Sequence, residues 1–249
     1  MSVRIAIPDP TGSDQAYNQR SLPPYLAALQ TAGATAVVVP LNESQDHVAR
    51  LLAGVQGILL PGSRYDVDPQ RYGEDAAPEC GEADPARTAV DELLLQDAFN
   101  LHKPILAICH GAQTLNVWRN GPLVQDLQTP VNHRPGREVV EAHPVRIAPG
   151  SRLSGLIPPG EKVEPRVNSS HHQAIRVPGD NLLVSAVCPG DEVIEAVELD
   201  SAAHFVLAVQ WHPERTYPVS AFSRAIFAAF VEAAERWEPW RIDESVAPA

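Results

Sequence analysis

Cysteine is scarce in this chain, with three residues at positions 80, 109 and 188 among 249. A sparse, odd set excludes a disulfide framework, and no Cys-X-X-Cys pair offers the usual zinc spacing. Long apolar runs are missing too: none nears the roughly 20 residues that span a bilayer. The N-terminus, Met1-Ser2-Val3-Arg4-Ile5, enters an apolar stretch without the basic, apolar and small-residue succession of a secretory signal. Basic clusters are also lacking. The formal net charge of −12 reads as solubility and argues against nucleic acid or an anionic membrane as partner. These absences point to a reducing cytoplasm, where a thiol stays available as a nucleophile. No internal repeat or low-complexity segment interrupts the chain, and the 24 prolines are dispersed as turn residues.

What is present is an alternation of short apolar runs with helical patterns. Val3–Pro8, Ala36–Pro40, Gly57–Leu60 and Pro104–Ile108 read as buried strands. Between them Pro23–Ala32, Ser44–Ala53 (with Ser44 as N-cap) and Thr88–Leu101 read as helices, and Gly111–Arg119 follows the fourth strand. This order predicts an α/β fold with a mostly parallel central sheet flanked by helices. The second half is richer in strand patterns, at Val139–Ile147, Val163–Val167, Ala174–Val177, Leu182–Val187, Ile194–Leu199 and Phe205–Gln210. A helix over Val219–Trp237 closes the domain. The expectation is one domain over 1–249, with a polar tail at 238–249 that frays.

The segment Pro104-Ile-Leu-Ala-Ile-Cys109-His-Gly-Ala-Gln carries the strongest chemical signal. An apolar strand runs into Cys109 and a helix starts directly after it. Ala107 and Gly111 are small enough to let the backbone turn sharply, which describes a nucleophile elbow with sulfur in place of the serine hydroxyl. A helix N-terminus favours the thiolate, and the amide after the nucleophile can face a developing oxyanion. A free cysteine at a strand end is otherwise often a buried structural residue.

A thiol nucleophile needs a base, and the base needs orienting. Phe205-Val-Leu-Ala-Val-Gln-Trp-His212-Pro-Glu214 supplies both. In extended backbone, residues i and i+2 point to one side, so the Glu214 carboxylate can hold one imidazole nitrogen of His212 while the other faces the thiol. The turn Leu60-Pro61-Gly62-Ser63 offers a second oxyanion donor, the Ser63 amide, beside that of His110. Taken alone it is an ordinary Pro-Gly turn.

These segments, with Val167-Asn-Ser-Ser-His-His-Gln-Ala-Ile175 between them and Leu59-Leu-Pro-Gly-Ser-Arg-Tyr-Asp-Val-Asp-Pro-Gln-Arg-Tyr-Gly-Glu74 before them, resemble the gamma-glutamyl-gamma-aminobutyrate hydrolases. That family lies within the class I glutamine amidotransferase-like (flavodoxin-like) superfamily, and the match runs in order over nearly the whole chain. The resemblance implies cleavage of a gamma-glutamyl amide, such as gamma-glutamyl-GABA in polyamine and putrescine degradation, through a gamma-glutamyl thioester. It assigns Cys109, His212 and Glu214 as a triad, the amides of Ser63 and His110 as oxyanion donors, and Gln113, Ser170, His171 and His172 as substrate contacts. It implies no metal and no organic cofactor. The polar run at 168–173 also suits a plain surface loop. Its paired histidines raise metal binding, yet no set in the sequence has metal-ligand spacing, and His133 and His143 have no evident partner. Tyr65 to Glu82 is polar enough to be a flap over the site or a tolerated loop.

One position departs from the pattern: the family usually carries arginine where this chain has His110. That run, Ala107-Ile-Cys-His-Gly-Ala-Gln, also resembles the PfpI-type proteases and chaperones, where the adjacent histidine partners the cysteine. That gives a PfpI-like hydrolase as one alternative to the free-standing hydrolase, and two more stand beside it: a glutaminase subunit that hands ammonia to a synthase partner, and a catalytically silent binding protein. A homodimer is the commonest form for a soluble assembly of this kind.

Overall fold

Apolar residues alternate along the first strands, and each alternate set finds a different side of one sheet. In the computed structural model, which describes residues 2–160 and 164–239, the elements run β1 (Val3–Pro8), α1 (Gln15–Thr31), β2 (Ala34–Val39), α2 (Gln45–Leu52), β3 (Gly57–Leu60), α3 (Pro85–Leu101), β4 (Ile105–Ile108) and α4 (His110–Trp118). There follow β5 (Leu123–Val124), β6 (His143–Pro144), β7 (Arg146–Ile147), β8 (Arg166–Val167), β9 (Ala174–Ile175), β10 (Leu182–Val187), β11 (Ile194–Leu199), β12 (Val206–Val209), α5 (Pro213–Thr216) and α6 (Ala221–Glu235).

The main path of the sheet is β2-β1-β3-β4-β12-β11-β10-β7. From β2 to β12 all pairs are parallel, and from β12 to β7 all are antiparallel. Ile5, Ile7, Leu59, Leu106, Ile108, Leu207 and Val209 face α1 and α6, packing with Leu29, Phe227 and Phe230. Ala6, Ile58, Leu60, Ile105, Ala107, Val206 and Ala208 face the other way, toward Leu52 of α2, Leu94 of α3 and Leu115 of α4. Both faces of the central strands are thus covered, which is why they read as continuous apolar runs.

The strand bounds expected at β1, β3, β10 and β11 are those observed. Elsewhere the structure differs for identifiable reasons. Helix α1 begins eight residues before Pro23, at Gln15, where the Asp14 side chain accepts from the Tyr17 amide. Pro23 and Pro24 therefore lie inside the helix. Their missing N–H groups fall near its exposed side, while Ser21, Tyr25, Ala28 and Leu29 anchor the buried side. Helix α3 likewise starts early, with Asp84 capping the Ala86 and Arg87 amides and Pro85 in the first turn. The long strand expected over Val139–Ile147 is broken. Val139 and Val140 are exposed and Pro144 cannot donate to a ladder, so only β6 and β7 remain, in different sheets. Val163 of the next expected strand, and residues 240–249 of the expected tail, lie outside the described residues. No helix among the described residues is long and apolar enough to cross a membrane.

Candidate active site

Three parallel strands end side by side, and the register decides what meets there. Leu60 of β3 pairs with Ala107 of β4, and Ile108 pairs with Val209 of β12. Two residues beyond Leu60 comes Gly62, one beyond Ile108 comes Cys109, and three beyond Val209 comes His212. The carboxyl edge of the sheet therefore gathers the Pro-Gly turn, the cysteine and the histidine without any long-range loop.

Cys109 joins β4 to α4 with φ 53° and ψ −109°, a left-handed backbone that a non-glycine residue adopts only under constraint. Its amide donates to Val209 O at 2.8 Å and its carbonyl accepts from the Gln113 amide at 3.1 Å, which pins the turn from both sides. Glycine at 111 is a packing requirement: a Cβ there would lie 2.3 Å from Leu60 O. Gly62 is equally constrained, since a Cβ would meet His212 Cε1 at 2.9 Å and Cys109 Cβ at 3.6 Å. That close approach shows that the imidazole and the cysteine flank the same glycine.

His212 is buried, and its Nδ1 donates to Glu214 Oε1 at 2.8 Å. The expected i, i+2 contact is present, although Pro213 and Glu214 already belong to α5 rather than to extended backbone. Asn168 clamps the histidine backbone, donating from Nδ2 to His212 O and accepting from the His212 amide, at 2.7 and 2.8 Å. With Nδ1 carrying its proton toward the carboxylate, Nε2 is left as an acceptor, and Arg215 Nη2 lies 3.2 Å from it. Tyr25 Oη accepts from the Gly62 amide at 3.0 Å and sits 3.5 Å from His212 Nδ1, linking helix α1 to both sides of the corner.

Burial dominates the electrostatics. It lowers His212 below the ordinary histidine value of 6.5, against the pull of Glu214 and with the help of Arg215. Glu214 is held below the ordinary carboxylate value because His212 and Arg215 outweigh its own burial. The thiol runs against the sequence expectation. Burial pushes Cys109 up to about 12, and neither the nearby Arg215 charge nor the His110 amide offsets it. The helix N-terminus alone does not make this cysteine a resting thiolate.

Cys109, His110, Gln113, Ser63, Ser170, His171, His172 and His212 all line one cavity of about 270 Å³. Their polar atoms are not equally presented to it. Gln113 Nε2 donates to Gln173 O at 3.0 Å and to Gln210 Oε1 at 3.2 Å. His172 is braced between Asp66 at 2.9 Å and Asp126 at 3.0 Å, and the Asp66 hydrogen bond in particular raises its pKa despite burial. His171 Nδ1 donates to Gln173 O at 2.9 Å, and its Nε2 points to Glu195. Ser170 is exposed. The His110 ring pairs with Thr114 Oγ1 at 3.3 Å, and burial drives its pKa well below 6.5.

Several lining residues escaped the sequence reading. Arg64, Arg134, Arg137 and Arg215 all border the cavity, as does Tyr17, although the chain is acidic overall. Arg64 is tied to Asp14. The Arg134-Pro-Gly-Arg137 turn was the available signal: paired cations in an otherwise acid-rich chain. Arg87 also went unnoticed. It is fully buried, bonds Asp91 at 2.7 Å, and donates to Pro10 O and Pro61 O at 3.0 and 2.7 Å, so it fixes the turn that carries Gly62 and Ser63. The segment from Tyr65 to Glu82 is stitched down rather than free. A short 3-10 turn spans Pro69–Tyr72, Asp66 accepts from the Gly81 amide at 2.6 Å, and the Ala77 amide donates to Gln125 at 2.7 Å. His133 and His143, without partners in the sequence, are buried beside His171 and Glu195.

The sheet order, the elbow and the cavity at the carboxyl edge define the class I glutamine amidotransferase fold. A crystal structure from Thermoplasma acidophilum, of a protein described as a GMP synthase subunit, superposes with a TM-score of 0.64 at 18% identity, over 94% of this chain and 95% of that one. The peptidase C26 family matches residues 8–214, so the chain belongs to that family and is an enzyme of the hydrolase class. Among relatives, Gamma-glutamyl-gamma-aminobutyrate hydrolase PuuD of Escherichia coli K12 is 34% identical over 221 residues, 85% of each chain. A Mycobacterium tuberculosis protein provisionally named a glutamine amidotransferase, Rv2859c, is 39% identical over 214 residues, 84% of this chain, which spans 66% of that protein's length. Protein NtpR of Enterococcus hirae is 31% identical over 84% of this chain and 87% of its own.

Proposed function

We propose that the protein hydrolyses the gamma-glutamyl amide bond of a small gamma-glutamyl amine whose leaving amine carries an acid group, of the gamma-glutamyl-GABA type. The observation that carries this reading is the His212–Glu214 contact at 2.8 Å, which fixes Nδ1–H and leaves Nε2 as the base, on a ring whose Cε1 edge meets Gly62 beside Cys109. In the reaction, Cys109 Sγ attacks the side-chain amide carbon and His212 Nε2 takes the thiol proton. The amides of Ser63 and His110 hold the oxyanion. His212 returns its proton to the leaving amine, a gamma-glutamyl thioester remains, and a water activated by the same imidazole releases glutamate. Because the thiol rests protonated, transfer to His212 accompanies attack rather than preceding it. Arg215 must leave His212 Nε2 for this to happen, and a substrate carboxylate is the group that draws a guanidinium away.

The arginines around the cavity support a dicarboxylate substrate, with one acid on the glutamyl part and one on the amine. Glutamine has a single carboxylate, so a glutaminase subunit uses this charge less fully. His110 is the weaker base beside Cys109, since its ring partner is a hydroxyl and not a carboxylate. The test is glutamate release from a panel of gamma-glutamyl amides by wild type and Cys109→Ala. Turnover of gamma-glutamyl-GABA, or a similar acid-bearing amide, by wild type alone is expected. A folded wild type inert on the whole panel, or a Cys109→Ala variant as active as wild type, overturns the proposal. Activity lost in His110→Ala and kept in His212→Ala hands it to the PfpI-like mechanism.

A further inference from the structure

Behind the wall of the cavity, on the far side of His171, three histidines close around one buried carboxylate. His133 Nδ1, His143 Nε2 and His171 Nε2 lie 3.3, 3.5 and 3.6 Å from the same oxygen, Glu195 Oε1. The four donor atoms all lie within 4.8 Å of one another, and all four residues are buried.

The outer nitrogens decide the protonation. His143 Nδ1 is 3.1 Å from Pro144 O, and His171 Nδ1 is 2.9 Å from Gln173 O. A carbonyl only accepts, so both Nδ1 atoms carry the hydrogen. His133 Nε2 faces Asp191 Oδ2 at 2.9 Å and donates to that carboxylate. Ser169 lies 3.5 Å from His133 Nδ1, but its hydroxyl proton goes to His133 O at 2.9 Å. In the neutral form every inward nitrogen is therefore a lone pair facing a carboxylate oxygen. His143 Nε2, His171 Nε2 and both Glu195 oxygens are buried without a hydrogen-bond partner. Acceptors facing acceptors in a buried pocket repel unless something positive sits between them.

A divalent ion satisfies this arrangement. Tetrahedral zinc with bonds of about 2.0–2.1 Å has ligand-to-ligand edges of about 3.3–3.4 Å, close to the three nitrogen-to-Glu195 separations. Each histidine already shows the outer-nitrogen hydrogen bond that metal-bound imidazoles use to fix their tautomer, with Asp191 as the carboxylate behind His133. The charges also close: Glu195 and Asp191 together balance a dication, with the histidines neutral. Imidazole donors favour zinc and its transition-metal neighbours over magnesium or calcium. We infer that His133, His143, His171 and Glu195 form a closed, four-coordinate site for a zinc-like divalent ion, which ties the 133 loop, β6, the cavity wall at 171 and β11 together. With four protein ligands the site has no open position, so its role is structural. The rival occupant is a pair of protons on the same imidazoles.

The test uses the full chain, stripped with a chelator, dialysed and titrated with Zn²⁺ and with Co²⁺. One equivalent of ion per chain is expected, with the visible absorption of tetrahedral Co²⁺, a Zn²⁺-dependent rise in Tm, and both lost in His143→Gln. X-ray absorption on zinc-loaded wild type needs no variant. It is expected to show four nitrogen or oxygen neighbours at about 2.0–2.1 Å and no sulfur at about 2.3 Å. The proposal is overturned if the folded, stripped chain takes up no ion, which leaves the protons as occupant. Undiminished binding by His143→Gln also overturns it. So does a sulfur neighbour, which would move the ion to the adjacent His133, Cys188 and Asp191 group.

Discussion

Two corners of this molecule are built from the same materials, histidine against carboxylate, and they differ in how the chain supplies them. At the carboxyl edge, His212 and Glu214 are two residues apart and share one local turn. Behind the cavity, His133, His143, His171 and Glu195 come from four separate segments. In the first corner a single carboxylate orients a single imidazole, which leaves one nitrogen for chemistry. In the second, each outer nitrogen is committed to a protein acceptor and each inner nitrogen faces Glu195. A mobile proton belongs to the first arrangement and a fixed positive charge to the second. The difference also explains why one corner borders the cavity and the other lies beneath its wall, with His171 belonging to both.

The comparison breaks most visibly at the carboxylates. Glu214→Gln keeps the shape but no longer favours the Nδ1–H tautomer of His212, and kcat on gamma-glutamyl-GABA is expected to fall by about 10⁴-fold; a fall below about tenfold would mean that Glu214 does not orient the base. A large effect of another kind lies under the Pro61 turn. Arg87→Met leaves Asp91 buried and unpaired and is expected to cost about 3–5 kcal/mol in urea unfolding, with Asp91→Leu in addition recovering most of it. Equal stability of the single variant and wild type would remove the guanidinium from its structural role.

The pH dependence sharpens the chemical corner. Burial makes folded His212 harder to protonate than an ordinary histidine, so the base is already neutral at pH 6.5 and above. kcat/KM is expected to stay level down through pH 6.5 and to turn down only below it. A downturn centred above pH 6.5 contradicts the direction of the shift. The same sign makes this residue cost stability as pH falls through 6.5, where the unfolded chain binds the proton first. Alkylation of Cys109 by iodoacetamide should still be accelerating at pH 10, because burial holds the thiol near 12. A plateau by pH 8 would reveal a thiolate that the free site stabilises in some other way. The smallest effect is a control on the scaffold. Ser44→Ala removes the cap on the His47 amide at the start of α2 and should cost about 1 kcal/mol without changing kcat.

Legibility in the sequence followed the range of the contacts. The parallel strands were readable because both of their faces are covered, so Gly57–Leu60 and Ile105–Ile108 showed as plain apolar runs. The elbow was readable because small residues flank Cys109 within a few positions. The start of α1 was missed because Pro23 looks like a first-turn proline, whereas Asp14 had already capped the helix. The strand expected at Val139–Ile147 failed because valines on an exposed stretch mimic a strand while Pro144 interrupts it. Beyond the paired Arg134 and Arg137, the arginines of the cavity and the clustered histidines left no local trace, for a common reason. Their meaning arises from loops that converge in space, and no local period or spacing records that convergence.

The sheet order carries a consequence for how the enzyme comes into being. Strand β12, among the last elements in the chain, is inserted between β4 and β11 near the middle of the sheet. Until residues 206–209 have left the ribosome, β4 lacks one of its two neighbours and Cys109 lacks both the carbonyl that pins it and the histidine beside it. A nascent chain is therefore expected to be inactive until β12 and His212 have emerged. Turnover is expected only once β12 enters, so its appearance during translation would serve as a clock for the closing of the sheet.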